Sequence, residues 1–181
     1  MPGNKIGDYP SNNDPTGGLC TVGKYCPANS SKQFNCGSGT YMPHEMATAS
    51  GDCVACPPGK YCDSAGLSDL TSKDCTAGYY CTGSADNAVQ NACGYDEKCV
   101  AGTLWPVQCE PEEYSSTQAS SCSACAAGSR CTQGTTSACA AGTYCASNTI
   151  TYCAPGKHGT ATGTSTESAA CLACGTGYAC T

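Results

Sequence analysis

The cysteines are the residues of this chain best suited to metal binding or redox chemistry, and three pairs of them have the spacing of metal ligands. A C-x2-C pair places two thiols on one short turn, where they can bind zinc or form a redox-active disulfide. A structural zinc site needs a second such pair, or histidines, at a set distance. Each pair here belongs to an unbroken series of twenty cysteines, so we expect structural disulfides and no metal. The pairs are Cys53 with Cys56, Cys122 with Cys125, and Cys171 with Cys174.

Few side chains of this sequence are suited to acid–base or nucleophilic catalysis. His44 and His158 are its two histidines, and no nucleophile motif surrounds any serine. The number of cysteines is even, so a free nucleophilic thiol is not expected. We therefore predict that the protein is not an enzyme and uses no cofactor.

Three aspartates, Asp63, Asp69 and Asp74, fall within one loop and make calcium a second possible ligand. A dedicated calcium loop alternates its oxygen ligands along the chain, which this loop does not do. A solvated acidic loop is the favoured interpretation.

These residues all belong to a repeat that covers most of the chain. Ten times the sequence has Cys, two residues, a position that is usually Gly, one more residue and then usually an aromatic. The starts are 14 to 21 residues apart, and each repeat contains two cysteines. Seven repeats have five residues between their cysteines, and three delay the second cysteine. Repeats 1 to 10 start at Cys20, Cys36, Cys56, Cys75, Cys93, Cys109, Cys125, Cys139, Cys153 and Cys174.

The glycine and the aromatic residue predict the local structure of each repeat. Glycine at a fixed distance from cysteine indicates a turn with positive φ or a close approach of backbone. The following tyrosine favours a strand of two or three residues, which ends in a polar loop. No apolar period of 3.6 residues extends over more than one turn, so we predict almost no helix.

The composition excludes a conventional hydrophobic core. Leu, Val, Ile and Phe together contribute 13 of 181 residues, whereas cysteine alone contributes 20. A chain with so few large apolar residues does not fold by burial alone, and its cysteine content is that of a disulfide scaffold. We therefore expect disulfides to hold the fold together.

The disulfides and the charge limit where this protein can be located and which partners it can bind. Disulfides persist outside the cytosol, so we expect a secreted, extracellular or cell-surface protein. The first residues, Met1 to Lys5, lack the apolar run of a signal peptide, and we expect a mature product or a fragment of a longer secreted chain. No segment is apolar enough to span a membrane. The net charge is −6 and the lysines are scattered, so no nucleic-acid partner is expected.

The repeated C-x2-G-x-Y-C motif, with periodic C-x2-C-x2-G-x-Y-C, resembles the ephrin-receptor-like cysteine-rich repeats of the growth-factor-receptor class. Such repeats are found in large secreted and surface proteins of protists. The resemblance covers about residues 20 to 180 and implies disulfide-laddered modules without an activity. The expected fold is small and disulfide-rich: an elongated tandem-repeat rod of short β-hairpins and turns, with almost no helix and no conventional hydrophobic core.

Two disulfide pairings remain open at this stage. In the crossed pairing, which matches receptor-type modules, repeats are grouped in pairs and bond first to third and second to fourth cysteine. We favour it because it leaves no cysteine unpaired. In the rival pairing, the second cysteine of one repeat bonds to the first of the next, as in Cys62–Cys75, and Cys20 and Cys180 are left to bond between subunits. The crossed pairs are Cys20–Cys36, Cys26–Cys53, Cys56–Cys75, Cys62–Cys81, Cys93–Cys109, Cys99–Cys122, Cys125–Cys139, Cys131–Cys145, Cys153–Cys174 and Cys171–Cys180.

Glycosylation is the strongest modification signal. Asn29-Ser30-Ser31 is an N-glycosylation sequon in a predicted surface loop. The chain also has 19 Ser and 21 Thr, and the longest repeat contains a mucin-like patch. We expect covalent glycans at both places. The O-glycosylation candidates of the patch are Thr160, Thr162, Thr164, Ser165, Thr166 and Ser168.

Two segments are candidates for interactions. Residues 1–19 precede the repeats and form either a linker or an arm, with Ile6 and Tyr9 among its few apolar residues, that docks on a neighbouring subunit. Trp105 is the only tryptophan, and two interpretations stay open for it. It is a local packing plug between repeats 5 and 6, which is favoured, or an anchor for a partner protein.

These observations predict a structural extracellular glycoprotein. We expect a subunit or repeat block of a glycosylated fibril, surface coat or flagellar hair-like appendage, assembled head to tail as a homopolymer. The alternative is a ligand-binding or adhesion ectodomain of a receptor, or a surface antigen.

Overall fold

The computed structural model describes residues 19–180 of the 181-residue chain. In this range, sixteen short strands pair into eight two-stranded antiparallel sheets. The pairs are β1 Lys24–Tyr25 with β2 Phe34–Asn35, β3 Thr40–Tyr41 with β4 Val54–Ala55, β5 Tyr79–Tyr80 with β6 Asn91–Ala92, β7 Glu97–Lys98 with β8 Val107–Gln108, β9 Glu113–Tyr114 with β10 Ser123–Ala124, β11 Ser129–Thr132 with β12 Thr135–Ala138, β13 Thr143–Ala146 with β14 Thr149–Tyr152, and β15 Lys157–His158 with β16 Leu172–Ala173.

Each hairpin follows from the position of the repeat glycine. In repeat 1 the Lys24 N–H donates to the Thr21 carbonyl at 3.2 Å, which closes a four-residue turn. Gly23 is the third residue of that turn and has φ 79°, the conformation that a type II turn requires there. β1 follows this turn and pairs with β2 further along the chain. Immediately after β2, the Cys36 N–H donates to the Gly23 carbonyl at 2.9 Å. The second strand of a hairpin therefore ends immediately before the next repeat.

Two hairpins in the C-terminal half are longer than the rest. β11 to β14 have four residues each, and both connections have two residues. Gln133 and Gly134 in one loop, and Ser147 and Asn148 in the other, all have positive φ. Positive φ at both loop residues is typical of the type I′ turn, whose twist matches that of the strands it joins.

The three long repeats replace the second cysteine of the short motif with another residue. Met42, Ser115 and Gly159 occupy this position, six residues after the first cysteine. Met42 and Ser115 are buried, as the cysteine is in most short repeats. The extra chain then forms loops with little helix: within the described range, helical segments are the 3-10 turn Ser50–Asp52 and the single-turn helix α1, Glu167–Ala170.

The disulfides link the two cysteines of a single repeat, so both expected pairings are wrong. The Gly-containing turn reverses the chain within the repeat, and the Cα atoms of its two cysteines come to lie 5.6–6.2 Å apart. That distance is suited to a disulfide. Cys93 and Cys99 are also disulfide-bonded, and no described cysteine is free. The bonds are Cys20–Cys26, Cys36–Cys53, Cys56–Cys62, Cys75–Cys81, Cys109–Cys122, Cys125–Cys131, Cys139–Cys145, Cys153–Cys171 and Cys174–Cys180.

The crossed pairing is wrong because its partner cysteines belong to different repeats. The turn of each repeat places its first cysteine close to its own second cysteine. The rival bond Cys62–Cys75 fails for the same reason, and Cys20 and Cys180 both have partners within the chain. The crossed pairs that do not form are Cys20–Cys36, Cys26–Cys53, Cys56–Cys75, Cys62–Cys81, Cys93–Cys109, Cys99–Cys122, Cys125–Cys139, Cys131–Cys145, Cys153–Cys174 and Cys171–Cys180.

Cysteine takes the place of a hydrophobic core. Of the 17 buried apolar residues in the described range, 13 are cysteines, and the others are Met42, Ala47, Ala85 and Ala170. The predicted fold class, a small disulfide-rich protein of short β-hairpins with almost no helix, is confirmed.

The described residues fall into two compact parts. The first contains the residues up to Ala92 together with Cys99–Trp105, and the second contains Cys93–Lys98 together with the residues from Pro106 onward. Each part is built from the same kind of disulfide-closed hairpin.

A tryptic map of the unfolded, unreduced protein tests the disulfide pairing. Cleavage after Lys32 should separate repeat 1 from repeat 2, and cleavage after Lys73 should separate repeat 3 from repeat 4, because each described disulfide lies within one repeat. Mass spectrometry should find these fragments free of one another. Fragments that stay joined across Lys32 and Lys73 until a reductant is added would instead indicate disulfides between repeats, as in the crossed or the rival pairing.

Candidate functional surfaces

Backbone hydrogen bonds beyond those of the hairpins join most successive repeats in the described chain. Between repeats 1 and 2, the Gly23 N–H donates to the Met42 carbonyl at 2.8 Å, and the Cys26 N–H donates to the Ala47 carbonyl at 2.9 Å. In the opposite direction, the Met46 N–H donates to the Cys20 carbonyl at 2.8 Å. We call this set of three bonds the junction ladder. It uses the repeat glycine, both ends of the cysteine motif and one loop residue.

The junction ladder recurs along both parts of the chain. In each full copy, one N–H comes from the repeat glycine, one from the position six residues after the first cysteine, and one from a loop residue of the next repeat. With the N–H donor named first and the carbonyl acceptor second, the equivalent bonds in the first part are Gly39 to Cys62, Met42 to Leu67, Gly66 to Cys36, Gly59 to Cys81, Cys62 to Ala85, Ser84 to Cys56, Gly78 to Cys99, Cys81 to Thr103 and Gly102 to Cys75. Those in the second part are Asp96 to Ser115, Gln118 to Cys93, Gly128 to Cys145, Cys145 to Thr164 and Gly163 to Cys139.

The repeat glycine also allows a close approach by the repeat after next. A Cβ atom on Gly128 would lie 2.0 Å from the carbonyl oxygen of Gly163, two repeats further along. Gly128 has φ 83°, so this glycine meets both conditions that the sequence predicted as alternatives. Gly142 has almost the same φ, 82°, but a Cβ atom there would meet no atom within 4 Å.

Asp96 shows how the ladder continues where the glycine is missing. It occupies the glycine position of repeat 5 with φ 57°. Its carboxylate accepts N–H bonds from Gln133 at 2.8 Å, Gly134 at 3.3 Å and Ser115 at 3.4 Å. Asp96 thus joins repeats 5, 6 and 7. The spacing in the sequence does not predict this role, because the bonded amides are up to 38 residues away.

Asn148 is a second polar side chain that connects repeats. Its Oδ1 accepts the Cys131 N–H at 2.7 Å, while its Nδ2 donates to the carbonyls of Pro111 at 3.0 Å and Cys131 at 3.2 Å. It therefore holds repeats 6, 7 and 8 together. The signal in the sequence is an asparagine in a tight loop, where it tolerates positive φ.

The acidic loop around repeat 3 uses its carboxylates in local bonds. Asp63 pairs with Lys73 at 2.7 Å and Asp74 with Lys60 at 2.8 Å, while Asp69 accepts the Thr71 hydroxyl at 2.6 Å. The bond from Lys73 is the main reason that the pKa of Asp63 is lowered. The bond from the Thr71 hydroxyl is the main reason that the pKa of Asp69 is lowered. The carboxylates thus have separate partners instead of a common centre.

Two clusters in the described range have the composition of metal sites but not the chemistry. His158 lies with Cys174 and Cys180, and Glu113 lies with Cys109 and Cys122. All four cysteines are in disulfides, so they have no thiolate to offer a metal. The three C-x2-C pairs are in the same condition, since each of their cysteines is bonded within its own repeat.

The predicted glycan acceptors lie at the surface. Asn29 is exposed at φ 63°, in a turn closed by the Ser30 N–H and the Pro27 carbonyl at 3.0 Å. In the mucin-like patch of repeat 9, Thr160, Thr162, Thr166 and Ser168 are exposed, and Thr164 and Ser165 are half-buried.

Trp105 lies on the surface of the first part. Its side chain is 61% exposed, and its ring centroid is 6.3 Å from that of Tyr80, in repeat 4. Leu104 beside it is also exposed. Trp105 thus covers one face of Tyr80 and leaves most of its own indole in solvent. Ile6 and Tyr9, and the N-terminal arm as far as residue 18, lie outside the described residues.

No helix in the described residues is long and apolar enough to cross a membrane. No family model matches the chain, and a search of curated proteins finds no similar sequence.

Substituting alanine at two repeat glycines separates the effect of positive φ from that of close approach. In Gly142→Ala the positive φ should destabilise the fold by about 1–2 kcal/mol. In Gly128→Ala the methyl group must also displace the Gly163 carbonyl, which should add about 1–3 kcal/mol. Guanidinium unfolding of both variants with disulfides intact measures the difference. Equal losses of stability would mean that repeats two apart do not touch at this glycine.

Proposed function

We propose that this protein is a structural extracellular glycoprotein, a repeat block of a glycosylated fibril, surface coat or hair-like appendage. The observation that carries the proposal is the junction ladder, through which successive repeats from repeat 1 to repeat 5 bond by backbone groups in the same way. Because these groups are present in every repeat, the arrangement can be extended without new side-chain contacts.

The disulfides support a mechanical role. Most of them close a loop in which the cysteines are six residues apart, so little chain can be extended before a covalent bond resists the force. Cleavage of the backbone inside such a loop also leaves the two fragments joined. A fibril or coat outside the cell needs both properties, and the oxidising compartment maintains them.

The surface composition fits the same role. Charged residues are only 12% of the chain, so uncharged hydroxyl groups and their glycans would provide most of the solubility. Asn29 and four of the six O-glycosylation candidates are exposed and accessible to a transferase. The expected partners are covalent glycans and further copies of the chain, assembled head to tail.

Electron microscopy of protein purified from its native source without reductant tests this function. We expect regular filaments or sheets with a diffuse coat, and removal of glycans should thin the coat while the filament remains. Glycosidase treatment followed by mass spectrometry should place a glycan on Asn29. Dispersed single particles without glycans would contradict the proposal.

A second candidate function is recognition of a partner protein, and the exposure of Trp105 favours it. An exposed tryptophan supported by a tyrosine is typical of the anchors at protein interfaces. A receptor or adhesion ectodomain would use such an anchor, and a surface antigen would have the same composition.

Trp105→Ala tests this second function. Because Trp105 is mostly exposed, we expect the variant to keep its disulfides and its unfolding midpoint within experimental error. If the tryptophan is an anchor, binding of the labelled protein to cells of the source organism should fall at least tenfold, while Tyr178→Ala, another exposed aromatic, should leave it unchanged. Unchanged binding by Trp105→Ala would remove the recognition function, and a fall in stability would support the packing plug.

A further inference from the structure

The outer strand of one long hairpin has an open edge. β14, Thr149–Tyr152, pairs only with β13 in a two-stranded sheet, and no third strand joins them in the described part of the chain. Three of the four β14 residues are exposed, including Ile150 at 40% and Tyr152 at 76%. The inner strand β13 is the one that contacts helix α1. β14 therefore lies on the solvent side of its hairpin.

The register determines which backbone groups of β14 point away from β13. The Cys153 N–H donates to the Gly142 carbonyl at 2.9 Å, so Gly142 and Cys153 form a hydrogen-bonded pair. Such pairs alternate with non-hydrogen-bonded pairs in an antiparallel ladder. The pairs of Thr143 with Tyr152 and of Cys145 with Ile150 are therefore of the second kind. The N–H and C=O groups of Ile150 and Tyr152 point outward as a result.

The sequence around β14 lacks the features that normally protect an edge strand. Charged side chains, proline and bulges prevent such edges from pairing with other molecules. No charged residue occurs between Arg130 and Lys157, and no proline occurs within β14. By contrast, the short hairpins of repeats 1 and 5 carry Lys24 and Lys98 in their strands. Thr-Ile-Thr-Tyr consists entirely of residues that favour β-strands.

We propose that β14 is a self-association edge, which pairs antiparallel with β14 of a second copy of this chain. The outward groups of Ile150 match those of Tyr152 in the other copy, since a two-fold axis beside Thr151 places these residues opposite each other. Ile150 of one copy and Tyr152 of the other then exchange two N–H to C=O bonds, and the same two bonds form again on the other side of the axis. The two hairpins become one four-stranded sheet.

A second copy fits this edge better than a charged or irregular partner would. A two-fold axis makes the same strand serve both sides, so the surface needs to be complementary only to itself. Ile150 and Tyr152 have their side chains on the same face of the strand, so in this register each packs beside the other across the new interface. The uncharged edge also avoids the repulsion that like charges would cause between identical strands.

β12, Thr135–Ala138, provides a matched control. It is also the outer strand of a hairpin with four-residue strands, it has no charged residue of its own, and all its residues are exposed. The Cys139 N–H donates to the Gly128 carbonyl at 3.0 Å, so the same alternation directs the backbone groups of Thr136 and Ala138 outward. β12 lacks large apolar side chains, which is why we assign the pairing to β14.

The test is the oligomeric state of the oxidised, unglycosylated chain, measured by sedimentation over a wide concentration range. We expect a concentration-dependent dimer for the wild type and for Thr136→Lys, and a monomer for Ile150→Lys, because each lysine would place a charge opposite Tyr152 of the other copy and charged side chains block edge pairing. A disulfide map showing Cys139–Cys145 and Cys153–Cys171 in each variant confirms that the hairpin is intact. A monomeric wild type, or an Ile150→Lys variant that dimerises like the wild type, would overturn the proposal.

Hydrogen exchange identifies the edge directly. The amides of Ile150 and Tyr152 should exchange fast at low concentration and at least tenfold more slowly in the dimer. The amide of Thr151, which faces β13, should be protected at both concentrations. Concentration-independent exchange at Ile150 and Tyr152 in a dimeric sample would place the interface elsewhere.

The pairing of two β14 strands does not depend on the proposed function. Only its role, lateral association within a fibril or coat, rests on that function. The two can fail separately. Native material without filaments, together with a dimer that Ile150→Lys abolishes, would remove the function and keep the edge. Native filaments with a monomeric recombinant chain would keep the function and remove the edge.

Discussion

The fold depends on satisfying the backbone of hairpins that are too small to be stable alone. A strand of two residues provides one or two ladder bonds, and an isolated pair of such strands is marginal in water. The junction ladder provides the missing partners, because the glycine N–H of one repeat and the cysteine carbonyl of the same repeat both bond to the next repeat. The glycine that closes the turn at positive φ is also the residue whose N–H bonds to the neighbour, as at Gly23, so the turn and the stacking share one residue.

The disulfides stabilise the hairpin turns and do not replace the hydrogen bonds between repeats. A bond between cysteines six residues apart closes a short loop, for which the entropic model gives about 2 kcal/mol. Since each described disulfide lies within one repeat, it stabilises a turn but does not connect one repeat to another. This division explains why the long repeats can place another residue at the position of the second cysteine. Met42 there supplies both a backbone N–H and a carbonyl to the junctions, and Ser115 supplies a carbonyl, while the side chain varies.

The sequence predicted the hairpins well, because each depends on a local pattern of Cys, Gly and Tyr whose consequences extend over seven residues. The disulfide pairing was mispredicted, because both pairings treated the first and second cysteine of a repeat as ends of separate strands. The glycine turn brings them together, as in Cys20 and Cys26, whose Cα atoms are 5.9 Å apart. The roles of Asp96 and Asn148 could not be predicted from spacing, since each side chain bonds to amides or carbonyls as many as 37 or 38 residues away.

The junction ladder would also be compatible with glycans on the surface. Where the loop residue that donates to the preceding repeat is not glycine, it is Met46, Ser84 or Gln118, and all three side chains are exposed while their N–H groups are bonded. Asn29 lies nine residues after Cys20, as Ser84 and Gln118 lie nine residues after their own first cysteines, and it has the same positive φ. A glycan on Asn29 would therefore extend away from the backbone groups that a neighbouring segment uses. At this position the side chain that would be modified and the backbone N–H of the equivalent junction residues are separate groups, so a glycan on Asn29 would be compatible with the junction bonds.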